Sequence, residues 1–164
     1  MEFAMAFPLL KDAFQIAYVT NDLERAAGVF HEQYGTREFL IMRDLPDAYA
    51  DLALAYSGDT MIELLQPLAQ SGDFYSDYIA GCDGFVIKHH HFGMLLDSRE
   101  AMAETRAAHV GQGNAIVYEG GETGAAVQYL YADCRGTMGH YLEYLRLEEG
   151  GRQMFAAIPG SPFA

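Results

Sequence analysis

The feature that most constrains the fold of this chain is an order of strands and helices that occurs twice. Moving the 164-residue chain along itself by 76 residues places Gln15 on His91, Ala17 on Gly93, Glu24 on Glu100 and Gly35 on Gly111. In both places a strand pattern leads to an amphipathic helix with a glycine stop, and three more strand patterns follow. This period is too long for a solenoid repeat. The sequence therefore predicts two β-α-β-β-β modules that pack against each other.

Eight segments have the length and alternation of strands. They are residues 14–19, 38–43, 49–56, 60–65, 89–96, 114–119, 125–132 and 140–147. The glycine-rich run at 120–124 lies between two of them and has no lysine after it, so it predicts a hairpin rather than a phosphate-binding loop.

Two segments have instead the 3.6-residue period of a helix. In the first, Asn21 or Asp22 caps the helix and Gly35 ends it. Its predicted buried positions are Leu23, Ala26, Ala27, Phe30 and Tyr34. In the second, Ser98 caps a helix that ends at Gly111.

The length of the chain fits a single domain. We divide it into a first module over 13–68, a connector over 69–87, a second module over 88–147 and a C-terminal arm over 148–164. The connector contains a predicted short helix around 73–80. Gly and Pro interrupt the arm, so we expect it to lie on the body rather than to form part of the core.

Charge and composition exclude several classes of function. Ten basic residues against 23 acidic ones give a net charge of −13, which repels phosphates and makes nucleic acid and anionic membranes poor partners. No apolar run reaches the ~18 residues that a membrane span needs, and Glu2 stands where a secretion signal carries basic residues. Cys82 and Cys134 lack metal-type spacing and are predicted to be reduced thiols. We therefore expect a cytoplasmic protein.

Four polar residues stand within the strands, where burial of a lone charge is costly. Gln15 and His91 open the first strands of the two modules, and Glu63 and Glu143 lie in the last strands. Alternation along a strand places His91 on the same face as His89. A pseudo-twofold axis between the modules would bring the four residues into one cleft.

One amide, one imidazole and two carboxylates form a mixed oxygen and nitrogen ligand set. It suits a divalent ion such as Zn, Ni, Co, Mn or Mg with positions open for water or substrate. Each residue also has an ordinary alternative: a strand Glu at a sheet edge, a strand-opening Gln at the surface, a histidine that is exposed or hydrogen-bonded. His109 and His140 are interpreted in that ordinary way. The repeat-related positions of the four residues favour the metal site.

The segments that carry these residues resemble the vicinal oxygen chelate superfamily, which includes glyoxalase, bleomycin resistance and dioxygenase proteins. Residues 15–26 resemble its first strand and helix, 61–68 its fourth strand, 90–94 its fifth and 140–145 its eighth. The likeness is closest to the glyoxalase I and methylmalonyl-CoA epimerase branch. It implies an α+β fold in which two βαβββ modules form an open, cup-shaped mixed sheet around one divalent metal. The implied ligands are Gln15, Glu63, His91 and Glu143.

The resemblance also implies an activity. It is that of an isomerase, epimerase or lyase that moves a proton α to a carbonyl of a small metal-chelated substrate, with Glu143 as the base. Asp47, in the loop before the third strand, is the nearest candidate for the opposing carboxylate of the epimerases. Val19 and Pro67 stand where Gln-first glyoxalases hold glutathione with Arg and Asn, which disfavours glutathione.

Two other functions remain open on the same fold. One is a non-catalytic small-molecule binding or resistance protein, and the other, disfavoured by the ligand set, is an iron dioxygenase. The few basic residues make an obvious cradle for CoA unexpected, although Lys88, Arg43 and Arg135 could supply a local basic patch. Members of the superfamily commonly pair, so we expect a homodimer.

Overall fold

The computed structural model describes residues 7–46, 48–122 and 124–163, and its elements follow the order that the repeat predicts. The first half contains β1 (Ala13–Thr20), α1 (Leu23–Tyr34), β2 (Leu40–Met42), β3 (Ala50–Ser57) and β4 (Thr60–Pro67). The second contains β5 (Ile87–Leu96), α3 (Arg99–Gly111), β6 (Ile116–Gly120), β7 (Val127–Asp133) and β8 (Tyr141–Leu147). Three helices lie outside this repeat: α2 (Asp73–Ser76), α4 (Arg135–Met138) and α5 (Glu149–Ala156).

The eight strands of the described residues belong to one open mixed sheet in the order β2-β3-β4-β1-β5-β8-β7-β6. The two halves meet at the antiparallel pair of β1 and β5. On either side of that pair, β1 lies parallel to β4 and β5 lies parallel to β8. The first and last strands of both halves thus occupy the centre of the sheet. The predicted α+β fold with two βαβββ units in one open mixed sheet is confirmed.

Local sequence signals place the two long helices. The Asp22 carboxylate accepts a hydrogen bond from the Arg25 amide, and Gly35 ends α1 with a φ of 68°. The Ser98 hydroxyl accepts from the Ala101 amide in the same way at the start of α3.

Two details of these helices differ from the expectation. Tyr34 was expected to be buried in α1 but is 67% exposed, because it lies in the last turn, beyond the sheet contact. Gly111 belongs to α3, and Gly113 takes the left-handed conformation instead, with a φ of 82°. A left-handed glycine turn two residues later than predicted therefore follows α3.

The helices and the strands form four apolar clusters on the two faces of the sheet. Helix α1 covers Ile62 and Leu64 of β4, and the α3 side covers Leu142 and Tyr144 of β8. On the other face, Met61 lies in a cluster with α5, and Leu65 lies in a cluster with α2. Glu63 stands between these last two positions along the strand. Apolar clusters therefore cover this face of the sheet near both ends of β4, and the candidate site lies between the two clusters.

The C-terminal segment corrects one expectation. Residues 148–164 were expected to lie outside the core, but α5 packs Phe155 into the cluster of Leu145 and Leu147, and Ile158 follows it. Phe155 is 6% exposed and Ile158 is 2% exposed. The Gly residues that suggested an arm lie in the first turn of this short helix, and the Pro residues follow its end, where proline is common.

Candidate metal centre

The central strands place the four predicted ligands in two adjacent rows on one face of the sheet. One row is Glu63, Ala17 and His91, and the next is Gln15, Gly93 and Glu143. Each row crosses the pseudo-twofold axis, and both have a small residue in the middle. Because residues two apart on a strand share a face, the longer side chains of both rows point into the same space.

The small middle residues make that convergence possible. A β-carbon on Gly93 would lie 2.0 Å from Gln15 Oε1 and 2.8 Å from Gln15 Cβ. The Gln15 amide therefore occupies the volume that a side chain at Gly93 would need. Ala17 is the corresponding position in the first half, and it is fully buried.

Distances within the group match those of ligands around one ion. His91 Nε2 lies 3.2 Å from Glu63 Oε2 and 3.0 Å from Glu143 Oε2, and Gln15 Nε2 lies 3.2 Å from Glu63 Oε2. Ligand atoms about 2.1 Å from an ion and at right angles to one another are about 3.0 Å apart. The ligand atoms of the His and the two Glu all lie within 4.8 Å of one another.

Two buried polar atoms in this group have no partner of acceptable hydrogen-bond geometry. They are Gln15 Oε1 and His91 Nε2. His91 Nε2 is close to both carboxylates, yet it forms a hydrogen bond of acceptable geometry with neither. An ion is held by closely spaced polar atoms that do not satisfy one another, and a 180° rotation of the Gln15 amide places its oxygen about where Nε2 lies, 3.2 Å from Glu63 Oε2. The residues present therefore fit a divalent ion.

Electrostatics within the group require a compensating positive charge. Burial raises the pKa of Glu63 and outweighs the lowering effect of His91, and the nearby charge of Glu143 raises it further. Burial opposes protonation of His91, but the charges of Glu143 and Glu63 outweigh it and raise the His91 pKa to about 9. The two carboxylates thus need a positive charge between them, which a proton on His91 or a divalent ion can supply.

His90 contacts His91 at Nδ1, the ring nitrogen that does not lie beside the carboxylates. In the pairing of β1 with β5, Ala17 is opposite His91 and Tyr18 is opposite His89, so His90 is an extra residue in a β-bulge. His90 Nδ1 lies 2.8 Å from His91 Nδ1, and His90 Nε2 lies 3.0 Å from the Phe74 carbonyl oxygen.

These two hydrogen bonds fix the protons on both rings. Because the Phe74 carbonyl can only accept, the neutral His90 ring carries its proton on Nε2 and accepts at Nδ1 from His91. Burial and the charge of His91 lower the pKa of His90 to about 2, which keeps this ring neutral. His91 Nε2 is consequently the nitrogen left to bind an ion.

Above this group lies a cleft of about 260 Å³, which we call the tyrosine cleft. Its described lining residues are Ala48, Tyr49, Ala50, Leu52, Glu63, Leu65, Tyr75, Tyr118, Tyr129, Tyr131 and Glu143. Burial and the charge of Glu143 raise the pKa of Tyr131 well above its usual value. Tyr131 is therefore a neutral phenol that can donate a hydrogen bond beside that carboxylate.

A known protein family matches most of this chain. Residues 14–131 match the family model of the Glyoxalase/Bleomycin resistance protein/Dioxygenase superfamily. The chain belongs to this superfamily. A search among curated proteins finds no match for it.

Solved structures of the glyoxalase fold resemble this superfamily member at low identity. A methylmalonyl-CoA epimerase from Mycobacterium tuberculosis is 16% identical, with a TM-score of 0.66 and coverage of 94% of this chain and 98% of that one. A Streptomyces coelicolor methylmalonyl-CoA epimerase in complex with 2-nitronate-propionyl-CoA is 15% identical, with a TM-score of 0.64 and coverage of 83% and 96%. A hypothetical protein from Bacillus halodurans is 19% identical, with a TM-score of 0.63 and coverage of 84% and 94%. At these identities the likeness shows the fold.

The remaining residues singled out in the sequence have other positions. Asp47 lies outside the described residues. His89 does not share the face of His91, because the bulge turns it toward Phe92 and His140. Sequence alternation chose His89 and missed His90, and the only signal for His90 was its place beside a candidate ligand.

Three further groups are structural. His109 is hydrogen-bonded to Tyr144 and Asn114, and His140 to the Tyr141 carbonyl. Strands β6 and β7 pair antiparallel on either side of the glycine-rich run, as a hairpin requires. Both cysteines are free thiols.

Among the helices of the described ranges, none has the length and apolar character of a membrane span.

Proposed function

We propose that this superfamily member is a divalent-metal-dependent isomerase, epimerase or lyase that moves a proton α to a carbonyl of a small substrate. The observation that carries the proposal is the convergence of four buried or nearly buried polar side chains at the floor of an open cleft. Two of their atoms, Gln15 Oε1 and His91 Nε2, form no hydrogen bond of acceptable geometry within the protein. Burial of such a group without a ligand would be costly, which supports a resident ion.

Gln15, Glu63, His91 and Glu143 would hold the ion, which could be Zn, Ni, Co, Mn or Mg. When bound, it would act as a Lewis acid toward the substrate carbonyl and lower the cost of removing the neighbouring proton. The neutral charge of an ion with two carboxylates is consistent with their burial.

Glu143 is the proposed base. It lines the tyrosine cleft, where a substrate would lie, and its side chain is 7% exposed, so water screens it poorly. Glu63 lines the same cleft, and its Oε2 lies 3.2 Å from His91 Nε2. Return of the proton to the opposite face of the same carbon gives epimerisation, and return to the neighbouring carbon gives isomerisation.

A second candidate is a non-catalytic binding protein of the same fold, and the tyrosine cleft favours it, since such a lining binds small molecules without requiring proton transfer. Stoichiometric ligand binding that survives chelator treatment, without exchange of any substrate proton, would identify this alternative. The expectations of a homodimer, a cytoplasmic location and a small-molecule substrate stay predictions, and light scattering on the purified protein tests the first.

Metal analysis and solvent exchange test the main proposal together. Purified protein should carry or take up one divalent ion per chain, and in D2O it should exchange the hydroxymethyl protons of hydroxyacetone or 2-hydroxyacetophenone. The Glu143→Gln variant should lose exchange while it keeps its fold. Glu104→Gln, on the exposed side of α3, is the matched control and should exchange normally. Protein that takes up no divalent ion would refute the proposal.

A further inference from the structure

The lining of the tyrosine cleft points to a class of substrate. We infer that the cleft binds a small aromatic compound whose ring lies against the tyrosines and whose two adjacent oxygens face the metal centre, and that it excludes CoA esters. This inference deepens the proposed function and rests on it for the position of the two oxygens.

Five of the lining residues are tyrosines, and their rings are fixed against other side chains. The Tyr118 ring stacks on Tyr129 at 5.4 Å and on Phe74 at 5.5 Å, each at 26°, and Tyr49 meets it edge-on at 5.6 Å. A β-carbon on Gly120 would lie 2.3 Å from the Tyr129 hydroxyl, so the position of the Tyr129 ring requires a glycine at residue 120. The aromatic wall is therefore organised before a ligand binds.

A second aromatic layer lies closer to the metal centre. Tyr75 and Tyr131 are 7% and 4% exposed, and Phe74 contacts the Tyr131 ring edge-on at 5.0 Å. An aromatic ring gains from offset or edge-to-face contact with such a wall beyond the effect of buried area.

The size of the cleft limits the ligand. An apolar cavity of roughly 150 Å³ holds one benzene molecule, and sites for drug-sized ligands have roughly 300–1,000 Å³. At about 260 Å³, the tyrosine cleft has room for one six-membered ring with a short oxygenated side chain. A nucleotide would have to lie outside it.

Charge at the cleft opposes a nucleotide there as well. The described lining residues include two carboxylates, Glu63 and Glu143, and no basic side chain. Three arginines near the lining strands are already bonded to acids: Arg43 to Asp51 at 2.8 Å, Arg106 to Glu119 at 3.2 Å and Arg135 to Asp133 at 2.7 Å. The phosphates of CoA need free basic groups or backbone amides, and a net charge of −13 repels them.

A matched pair of neutral ligands tests the inference. 2-Hydroxyacetophenone and hydroxyacetone present the same two adjacent oxygens and differ by a phenyl group in place of a methyl group. Ligand-observed NMR gives the dissociation constants of both, and of CoA, for zinc-loaded and for chelator-treated protein. We expect the aromatic ketone to bind at least about tenfold more tightly than hydroxyacetone, and CoA not to bind.

Variants show whether the tyrosines cause the preference. Tyr118→Leu should reduce the ratio of the two dissociation constants to below about threefold, whereas Tyr34→Leu, at an exposed position of α1 away from the cleft, should leave it unchanged. If Tyr118→Leu does not fold, Tyr49→Leu at the 42% exposed position of the same wall replaces it.

The outcomes separate this inference from the proposed function. Equal binding of the two ketones, or binding of CoA, overturns the aromatic class, even if zinc binds and protons exchange. If the protein takes up no divalent ion, the proposed function fails, and a phenyl preference that persists in that protein and disappears in Tyr118→Leu still supports the aromatic wall.

Discussion

Replacement of His90 by Phe tests how the metal centre is built. The variant keeps an aromatic ring among Phe74, Tyr75 and Tyr78, whose rings lie 4.6–5.0 Å from that of His90. It removes both ring nitrogens. His91 Nδ1 and the Phe74 carbonyl then lose the partners that lie 2.8 and 3.0 Å from them.

The magnitude follows from these two contacts. A buried polar group left without a partner costs roughly 1–3 kcal/mol, so two of them should lower the free energy of unfolding by about 2–6 kcal/mol. Loss of the group that orients a metal-binding His typically weakens metal affinity about 10–100-fold. We therefore expect His90→Phe to fold less stably and to bind zinc about 10–100-fold more weakly.

A competition titration against a chromophoric chelator measures the zinc affinity, and thermal unfolding measures the stability. His109→Phe is the matched control, because His109 is also fully buried with two ring hydrogen bonds but lies away from the site. It should lose stability and keep its zinc affinity. His90→Asn restores an acceptor for His91 Nδ1 and should bind zinc within about threefold of the parent. A folded His90→Phe variant with the parent's zinc affinity would refute the assigned role.

The other predictions concern protonation, packing and the tail. Because the pKa of His91 is raised to about 9, zinc binding at pH 7 should release a proton, measurable by calorimetry in buffers of different ionisation enthalpy. The same protonation stabilises the metal-free fold fully below about pH 6.5 and is lost as the pH rises to about 9, so the Tm of chelator-treated protein should fall over that range. Gly93→Ala should displace the Gln15 amide and weaken zinc binding, whereas Gly28→Ala, with open space around it, should not. Phe155→Ala should cost about 3–5 kcal/mol in chemical denaturation if the tail belongs to the core.

The repeat made most of the fold predictable. Strand order, helix caps and the positions of Gln15, Glu63, His91 and Glu143 are local or periodic properties, and periodic patterns transfer directly to faces of a sheet. The convergence of the four residues then follows from a pseudo-twofold axis alone. Their binding of a metal stays a prediction.

Non-local effects account for what the sequence did not predict. The bulge at His90 depends on the register of β5 against β1, and one extra residue reverses the facing of every residue before it. The tail was misjudged because Gly and Pro report turns but not what a short helix packs against. Phe155 is buried only because the sheet face beneath α5 is apolar.

The fold does not determine which substrate binds, whereas the side chains of the site do. The fold is shared with epimerases that are 14–16% identical, so it does not select a substrate. Of 23 acidic residues, the two in the site would be neutralised by an ion, and the negative net charge of the rest of the chain disfavours polyanions. Selectivity for a substrate would then depend on the side chains above the ion, among which are the tyrosine rings of the cleft. A neutral aromatic ligand satisfies the size, the charge and the rings of the cleft together, which neither a nucleotide thioester nor a small aliphatic compound does.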